Sequence, residues 1–208
     1  MKTRPFKQVD VFTSTPYRGN PLAIVFDGAD LDAATMQHFA RWTNLSETVF
    51  LSPPTDPAAD YQLRIFTAHG ELPFAGHPTL GACHAWLEAG GCAKTSGRVV
   101  QQCSLGLINI RTDGPVSAFE APPLKRSTPA PALLAQAAQA LGITTAHIRA
   151  AQLLDNGPLW LGCCWTMCKP CSRLLPTTER SRRWGKTSAS SPRPQRNTHW
   201  PICMCALS

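Results

Sequence analysis

The residues best suited to chemistry in this 208-residue chain are a glutamate, Glu47, and a histidine, His77. Glu47 begins a predicted strand, and the two-residue period of a strand places its carboxylate on the same face as Val49 and Leu51. A carboxylate that points into an apolar cleft favours its protonated form and suits general acid–base catalysis near neutral pH. The alternative is a glutamate at a strand start whose side chain points to solvent.

His77 belongs to the string Gly76-His77-Pro78, which begins a predicted helix that ends at Gly90-Gly91. Proline is typical of the first helical position, and glycine of the residues just past a helix end. The free N–H groups and the dipole at a helix start favour an anion such as a substrate carboxylate, and Gly76 lets that ligand approach the backbone closely. The alternative is that His77 only caps a core helix.

Short β-rich runs separated by turn residues surround this helix. A further helix, capped by Asp30 or Asp32, is predicted to reach Trp42, with Leu31, Thr35, Phe39 and Trp42 at helical spacing. The helix over residues 76–91 has no polar stripe, so it is predicted to be buried with strands wrapped around it, as in an α+β domain. The predicted strands cover residues 6–12, 22–26, 48–51, 61–66, 99–103, 107–111 and 116–120.

A second unit is predicted to begin after Pro122-Pro123, with an alanine-rich helix over residues 130–141 and a strand over residues 150–154. We therefore expect an α+β domain over residues 1–120 and the start of a second domain over residues 121–161. Residues 162–208 are predicted to be an aberrant, disordered tail because they have neither helical nor strand periodicity.

Charge and cysteine content separate this tail from the rest of the chain. The formal net charge is +7, but residues 1–161 hold twelve Lys/Arg and twelve Asp/Glu, so the excess belongs to residues 162–208. Six of the nine cysteines also lie there, which leaves too few in the body for a disulfide framework. The body therefore gives no indication of a nucleic-acid partner.

No apolar run approaches the ~20 residues that a membrane span needs, and residues 1–7 do not lead into a signal-peptide core. We expect a cytoplasmic protein with reduced thiols and no membrane partner. The body also contains no metal or nucleotide motif.

Several strings in the body resemble the PhzF family of phenazine-biosynthesis-like isomerases. The longest spans residues 64–81 and contains Glu-Leu-Pro-Phe-Ala-Gly-His-Pro-Thr, with Gly76 and His77 near its end. Shorter ones are Gln8-Val-Asp-Val-Phe-Thr13, Gly19-Asn20-Pro21, Leu45-Ser-Glu47-Thr and Asp155-Asn156-Gly157-Pro158. The resemblance runs in order across about residues 5–161.

The resemblance implies the diaminopimelate-epimerase-like fold, in which two similar α+β halves each wrap a mixed sheet or barrel around a central buried helix. It implies cofactor-independent isomerisation at a site between the halves, with Glu47 moving a proton between carbons of a cyclic dienoic acid such as 2,3-dihydro-3-hydroxyanthranilate. Gly76 and His77 would bind the substrate and its carboxylate, and Asn20 would line the cleft. No cofactor or metal ion is implied, and the resemblance leaves a homodimer open for full-length relatives.

Two other functions fit the same residues. Racemases and epimerases of this fold use two cysteines as base and acid, but Cys83 is predicted to be a core thiol inside the buried helix, with His84 packed or hydrogen-bonded beside it. The other alternative is a module that binds a small acid without chemistry. The variant Glu47→Gln separates an isomerase from a binding module. An isomerase would lose turnover and keep its ligand, whereas a binding module would lose nothing.

The resemblance ends at about residue 161, so the second half is incomplete. Our hypothesis is a reading-frame shift, since Cys, Arg, Trp, Pro and Ser enrichment is typical of GC-rich DNA read out of phase; the nucleotide sequence near codon 161 tests it. A remote alternative is a tail that binds zinc and nucleic acid. Its ligands would be Cys168, Cys171, His199, Cys203 and Cys205. Without a second half we expect the chain to be unstable and nearly inactive.

Overall fold

The computed structural model describes residues 2–114 and 116–165, together with the backbone of residues 202–207. The chain divides into two compact units, Met1–Pro122 and Pro123–Ser208. Each unit is an α+β assembly with its own sheet. The first unit holds the residues with predicted chemistry.

In the first unit the described residues form a mixed sheet in the order β1-β2-β3-β4-β6-β7-β8, with β5 added beside β4. The pairs β2/β3 and β4/β6 are parallel, whereas the other pairs are antiparallel. The strands predicted for this unit are present. The strands are β1 (Phe6–Val11), β2 (Asn20–Val25), β3 (Glu47–Ser52), β4 (Tyr61–Phe66), β5 (Glu71–Leu72), β6 (Arg98–Cys103), β7 (Gly106–Arg111) and β8 (Ala118–Phe119).

The central helix of this unit, α2 (Gly76–Glu88), packs its small residues into the largest core cluster, beside side chains from β1, β2, β3, β4, β6 and β7. Gly81 is needed for this packing, because a Cβ there would stand 2.6 Å from a methyl carbon of Leu22. The helix is less uniformly buried than predicted, since the His84 side chain is 70% exposed and ion-pairs with Glu88 at 3.4 Å. The α+β architecture around a central helix is nevertheless the predicted one.

The other helix of this unit, α1 (Ala33–Thr43), is capped by Asp32, whose Oδ1 accepts a hydrogen bond from the Thr35 N–H at 2.7 Å. Its fully buried residues are Met36 and Ala40. Of the predicted face, Leu31 and Phe39 pack partly buried against the same cluster, whereas Trp42 is 79% exposed. The smaller face of α1 packs on aromatic side chains of β3 and β4, Phe50 and Phe66. Strand β3 is therefore buried on both faces, with Val49 and Leu51 directed to the α2 side.

The described residues of the second unit form an antiparallel sheet in the order β12-β11-β10-β9 with one α-helix, α3, against it. Apolar residues of the helix, Ala137 and Ala138, share a core cluster with Leu161 and Cys163. Gly142, at φ 68°, ends the helix as predicted. The elements are β9 (Lys125–Ser127), α3 (Pro131–Leu141), a 3-10 turn (Thr145–His147), β10 (Ile148–Asp155), β11 (Leu159–Trp165) and β12 (Ile202–Leu207).

The predicted tail includes residues that the structure places in strands. Strand β11 continues to Trp165, four residues past the predicted boundary, and β12 pairs with it from residue 202 onward. The remainder of the tail prediction, including Cys168, Cys171 and His199, lies outside the described residues. Within the described residues, no helix is long and apolar enough to cross a membrane.

Candidate active site

The candidate site lies where β2, β3 and α2 all begin. Because β2 and β3 run parallel, with Leu22 opposite Glu47, the first residues of both strands lie at the same edge of the sheet. The start of α2 brings His77 to this edge. This edge therefore brings together three segments that are far apart in the sequence. They contribute Asn20, Glu47 and the adjacent pair Gly76 and His77.

Glu47 and His77 are in direct contact. Glu47 Oε2 lies 3.2 Å from His77 Nε2, and the two side chains are only 17% and 10% exposed. The predicted strand period is consistent with this contact, because Glu47 shares a face with Val49 and Leu51, whose side chains pack in the cluster around α2. The glutamate side chain therefore does not extend into solvent from the strand start.

Asn20 joins this pair from the other side of the imidazole ring. Its Nδ2 lies 3.3 Å from His77 Nδ1, and its Oδ1 accepts a hydrogen bond from the Ser46 hydroxyl at 3.1 Å. Ser46, Asn20, His77 and Glu47 thus form one continuous row of polar contacts. Ser46 was not predicted, although it stands next to Glu47 in one of the strings that carry the family resemblance.

Burial lowers the pKa of His77 from its ordinary 6.5 to about 4. A carboxylate neighbour alone would raise the pKa of a histidine, but here the loss of hydration dominates and favours the neutral ring. At neutral pH the pair therefore consists of an uncharged imidazole next to a carboxyl group. His77 acts at this site as a hydrogen-bonding group and not as a cation.

The start of α2 supplies backbone donors at the same place. Its N-cap, Ala75, makes no side-chain capping bond, and the N–H groups of Gly76 and His77 precede the first intrahelical bond of the helix. The prediction that Pro78 occupies the first helical position is wrong, since Gly76 does. A Cβ at Gly76 would lie 3.0 Å from the Phe119 ring, so a larger residue there would require that ring to shift.

The loop between β1 and β2 borders the site. Asp10 accepts hydrogen bonds from the backbone of Arg18 and Gly19, which holds the loop just before Asn20. Phe12 adopts φ 69°, a backbone region rare for a bulky residue, is 70% exposed, and has its ring centroid 6.4 Å from that of His77. No pattern in the sequence predicts that this phenylalanine borders the site.

Cys83 does not belong to this group of residues. It is 1% exposed in the core, and burial raises its pKa to about 12. A buried neutral thiol is a poor base or nucleophile, so Cys83 is the core thiol that was predicted and does not fit racemase chemistry. In the part of the chain whose side chains the structure describes, no three His, Cys, Asp or Glu residues are grouped to hold a metal ion.

The fold and the site together define an epimerase-like α+β unit with a buried glutamate–histidine contact at the start of its central helix. The sequence profile of the phenazine biosynthesis-like protein family, PhzC-PhzF, matches residues 9–160. The chain belongs to this family.

Among curated proteins, antisense-enhancing sequence 1 of Schizosaccharomyces pombe is 41% identical over 169 residues, which are 77% of this chain and 57% of that protein. The trans-2,3-dihydro-3-hydroxyanthranilate isomerase of Pseudomonas chlororaphis is 51% identical over 77 residues, or 37% of this chain and 27% of the isomerase. The chain thus spans little more than half the length of the first of these relatives.

Solved structures agree on the fold. A predicted epimerase from Pseudomonas aeruginosa superposes with a TM-score of 0.63 at 28% identity, covering 76% of this chain and 57% of that one. A PhzF-family phenazine biosynthesis protein from Bacillus anthracis gives 0.61 at 24% identity, covering 86% and 61%. The predicted diaminopimelate-epimerase-like fold class is confirmed.

Proposed function

We propose that this chain carries the acid–base centre of a cofactor-independent isomerase of the PhzF type. The observation that carries the proposal is the 3.2 Å contact between Glu47 and His77 at the start of a central helix. The family membership and the relatives named as isomerases support it. The proposed substrate is a small cyclic carboxylic acid that resembles dihydro-hydroxyanthranilate.

The substrate carboxylate would bind at the start of α2. The N–H groups of Gly76 and His77 donate hydrogen bonds there, and the positive end of the helix dipole favours the negative charge. Binding the carboxylate at this point holds the substrate ring next to Glu47, since His77 belongs to the helix start and its imidazole contacts the glutamate. Asn20 lines the same place in this proposal.

Glu47 would move the proton. Its carboxylate removes a proton from one ring carbon, the C–H electron pair enters the conjugated system of the substrate, and the resulting Glu47 carboxylic acid returns a proton to another ring carbon. The sum is an isomerisation with no oxidant or co-substrate. A positioned acid–base group of this kind contributes about 10²–10⁴-fold to a rate, and donors aimed at the developing charge add to it.

The test uses Glu47→Gln, which keeps the shape of the side chain and removes its titratable group. We expect little turnover from the chain alone. A chimeric isomerase is therefore also made, in which residues 9–160 of this chain replace the first half of the Pseudomonas chlororaphis isomerase. Deuterium uptake from D₂O into 2,3-dihydro-3-hydroxyanthranilate should fall about 10²–10⁴-fold in Glu47→Gln. Glu120→Gln, an exposed residue with the same chemical change, is the control.

Equal deuterium uptake in the parent and in Glu47→Gln would contradict the proposed role of Glu47. Binding of the acid with no uptake in any variant of the chimera would instead favour the module that binds an acid without chemistry.

The location and partners remain proposals. We propose a cytoplasmic protein without nucleic-acid or membrane partners, in which the substrate acid is the ligand. The free thiols among the described residues are compatible with a reducing compartment. They include Cys83, Cys92, Cys103 and Cys164.

A further inference from the structure

We propose that Asn20 is a positioning residue that fixes the tautomer of His77, and that Ser46 in turn fixes the orientation of Asn20. His77 then presents a proton to Glu47 at every stage of the reaction. The catalytic consequence rests on the proposed function, whereas the tautomer can be measured without any turnover.

The argument starts from the two different ends of the Asn20 amide. The oxygen end accepts a hydrogen bond from the Ser46 hydroxyl at 3.1 Å, which leaves the NH₂ end 3.3 Å from His77 Nδ1. An amide NH₂ group can only donate, so Nδ1 must supply a lone pair. A neutral imidazole has one N–H, and that proton must then be on Nε2.

The other side of the ring agrees with this assignment. Nε2 lies 3.2 Å from Glu47 Oε2 in a contact that does not have hydrogen-bond geometry; next to a carboxyl oxygen an N–H is attracted, whereas a lone pair would be repelled. Burial, which lowers the pKa of His77 to about 4, keeps the ring neutral, so one proton has to be allotted between two nitrogens. Among the described residues in contact with the ring, Glu47 carries a titratable group, whereas Asn20 and Phe12 do not.

This arrangement has a consequence for proton transfer. With Nδ1 engaged by Asn20 and Nε2 already protonated, His77 has no lone pair that could take a proton from Glu47. The proton removed from the substrate is therefore not relayed to His77, and Glu47 either returns it to carbon or exchanges it with solvent. His77 meanwhile keeps its Nε2–H next to Oε2 in both protonation states of the glutamate.

The decisive measurement is nitrogen NMR of the chain labelled with ¹⁵N-histidine, between pH 6 and 8. The expected spectrum assigns His77 an unprotonated Nδ1 and a protonated Nε2. A protonated Nδ1 would mean that the Asn20 amide faces the ring with its oxygen, and this result would overturn the proposal. The assignment of the His77 signals uses His77→Gln.

Variants extend the test. In Asn20→Asp the new carboxylate accepts a hydrogen bond, so Nδ1 should become protonated; an unchanged ring would overturn the role of Asn20. In Ser46→Ala the amide can rotate by half a turn, and both tautomers should appear; one unchanged tautomer would overturn the role of Ser46. Asn109→Asp, the same change on β7, should leave the ring unaltered.

The kinetic arm separates this proposal from the proposed function. In the chimeric isomerase, Asn20→Asp should lower kcat at least about 10-fold with a smaller change in KM, because a wrong tautomer impairs the chemical step and not binding. A kcat equal to that of the parent would overturn the catalytic consequence. If Glu47→Gln were fully active while the tautomer followed Asn20, the proposed function would fail and the tautomer assignment would stand.

Discussion

Protonation of His77 should contribute to the acid destabilisation of the first unit. In the unfolded chain a histidine has a pKa near 6.5, whereas burial lowers the pKa of His77 to about 4 in the folded chain. Between these values the unfolded chain binds more protons than the folded one. The contribution of His77 to stability is therefore intact above about pH 6.5 and is lost as the pH falls towards 4.

The size of this loss follows from the two pKa values. Each pKa unit corresponds to about 1.4 kcal/mol, so a difference of about 2.5 units gives roughly 3.4 kcal/mol in full. About 2.5 kcal/mol of it should be lost between pH 7.5 and pH 4.5. This is a large part of the net stability of a typical domain, about 5–15 kcal/mol.

The assay compares urea unfolding of the parent and of His77→Gln at pH 7.5, 6.5, 5.5 and 4.5. Gln retains a donor near Glu47 but does not titrate, so the parent should lose about 2.5 kcal/mol more than the variant over this range. His84→Gln removes a 70% exposed histidine from the same helix and should follow the parent. Identical pH dependence in the parent and in His77→Gln would refute the reasoning.

Three further predictions concern packing, capping and thiol reactivity. Gly81→Ala should destabilise the first unit by about 1–3 kcal/mol in urea unfolding, because its Cβ would meet Leu22 at 2.6 Å; a more stable variant would contradict this. Asp32→Ala should lower the free energy of unfolding by about 1 kcal/mol, and Asp32→Asn by much less because asparagine also caps helices. Equal losses in the two variants would argue against capping. Cys83 should react with iodoacetamide far more slowly than the exposed Cys92, and equal rates would show that the core opens.

Local patterns were sufficient for much of the fold. The apolar segment between Gly76 and Gly90 predicted the central helix, and the two-residue period predicted that Glu47 shares a face with Val49 and Leu51. These features depend on near neighbours in the sequence, so one sequence is enough to read them. The buried face of α1 was harder to predict, because apolar residues lie on two neighbouring sides of this helix. Met36 and Ala40 are buried, whereas Trp42 is largely exposed.

The connections within the site could not be read locally. Asn20 meets Ser46 because β2 and β3 pair in parallel, and it meets His77 because α2 packs against both strands; neither residue type nor spacing specifies these contacts. Ser46 and Phe12 acquire their positions from the same arrangement. The family resemblance named Glu47, Gly76, His77 and Asn20 as one group, and the contact between Asn20 and His77 came from the structure.

The parallel pairing of β2 with β3 also bears on how the first unit folds. A parallel pair cannot close through a tight turn, so residues 26–46 must be ordered as a crossover before Leu22 can meet Glu47. Pairings of this kind are non-local and form slowly compared with hairpins. The contacts among Asn20, Glu47 and His77 should therefore appear late in refolding, after the β1/β2 and β6/β7 hairpins, and burial of His77 would mark the final step.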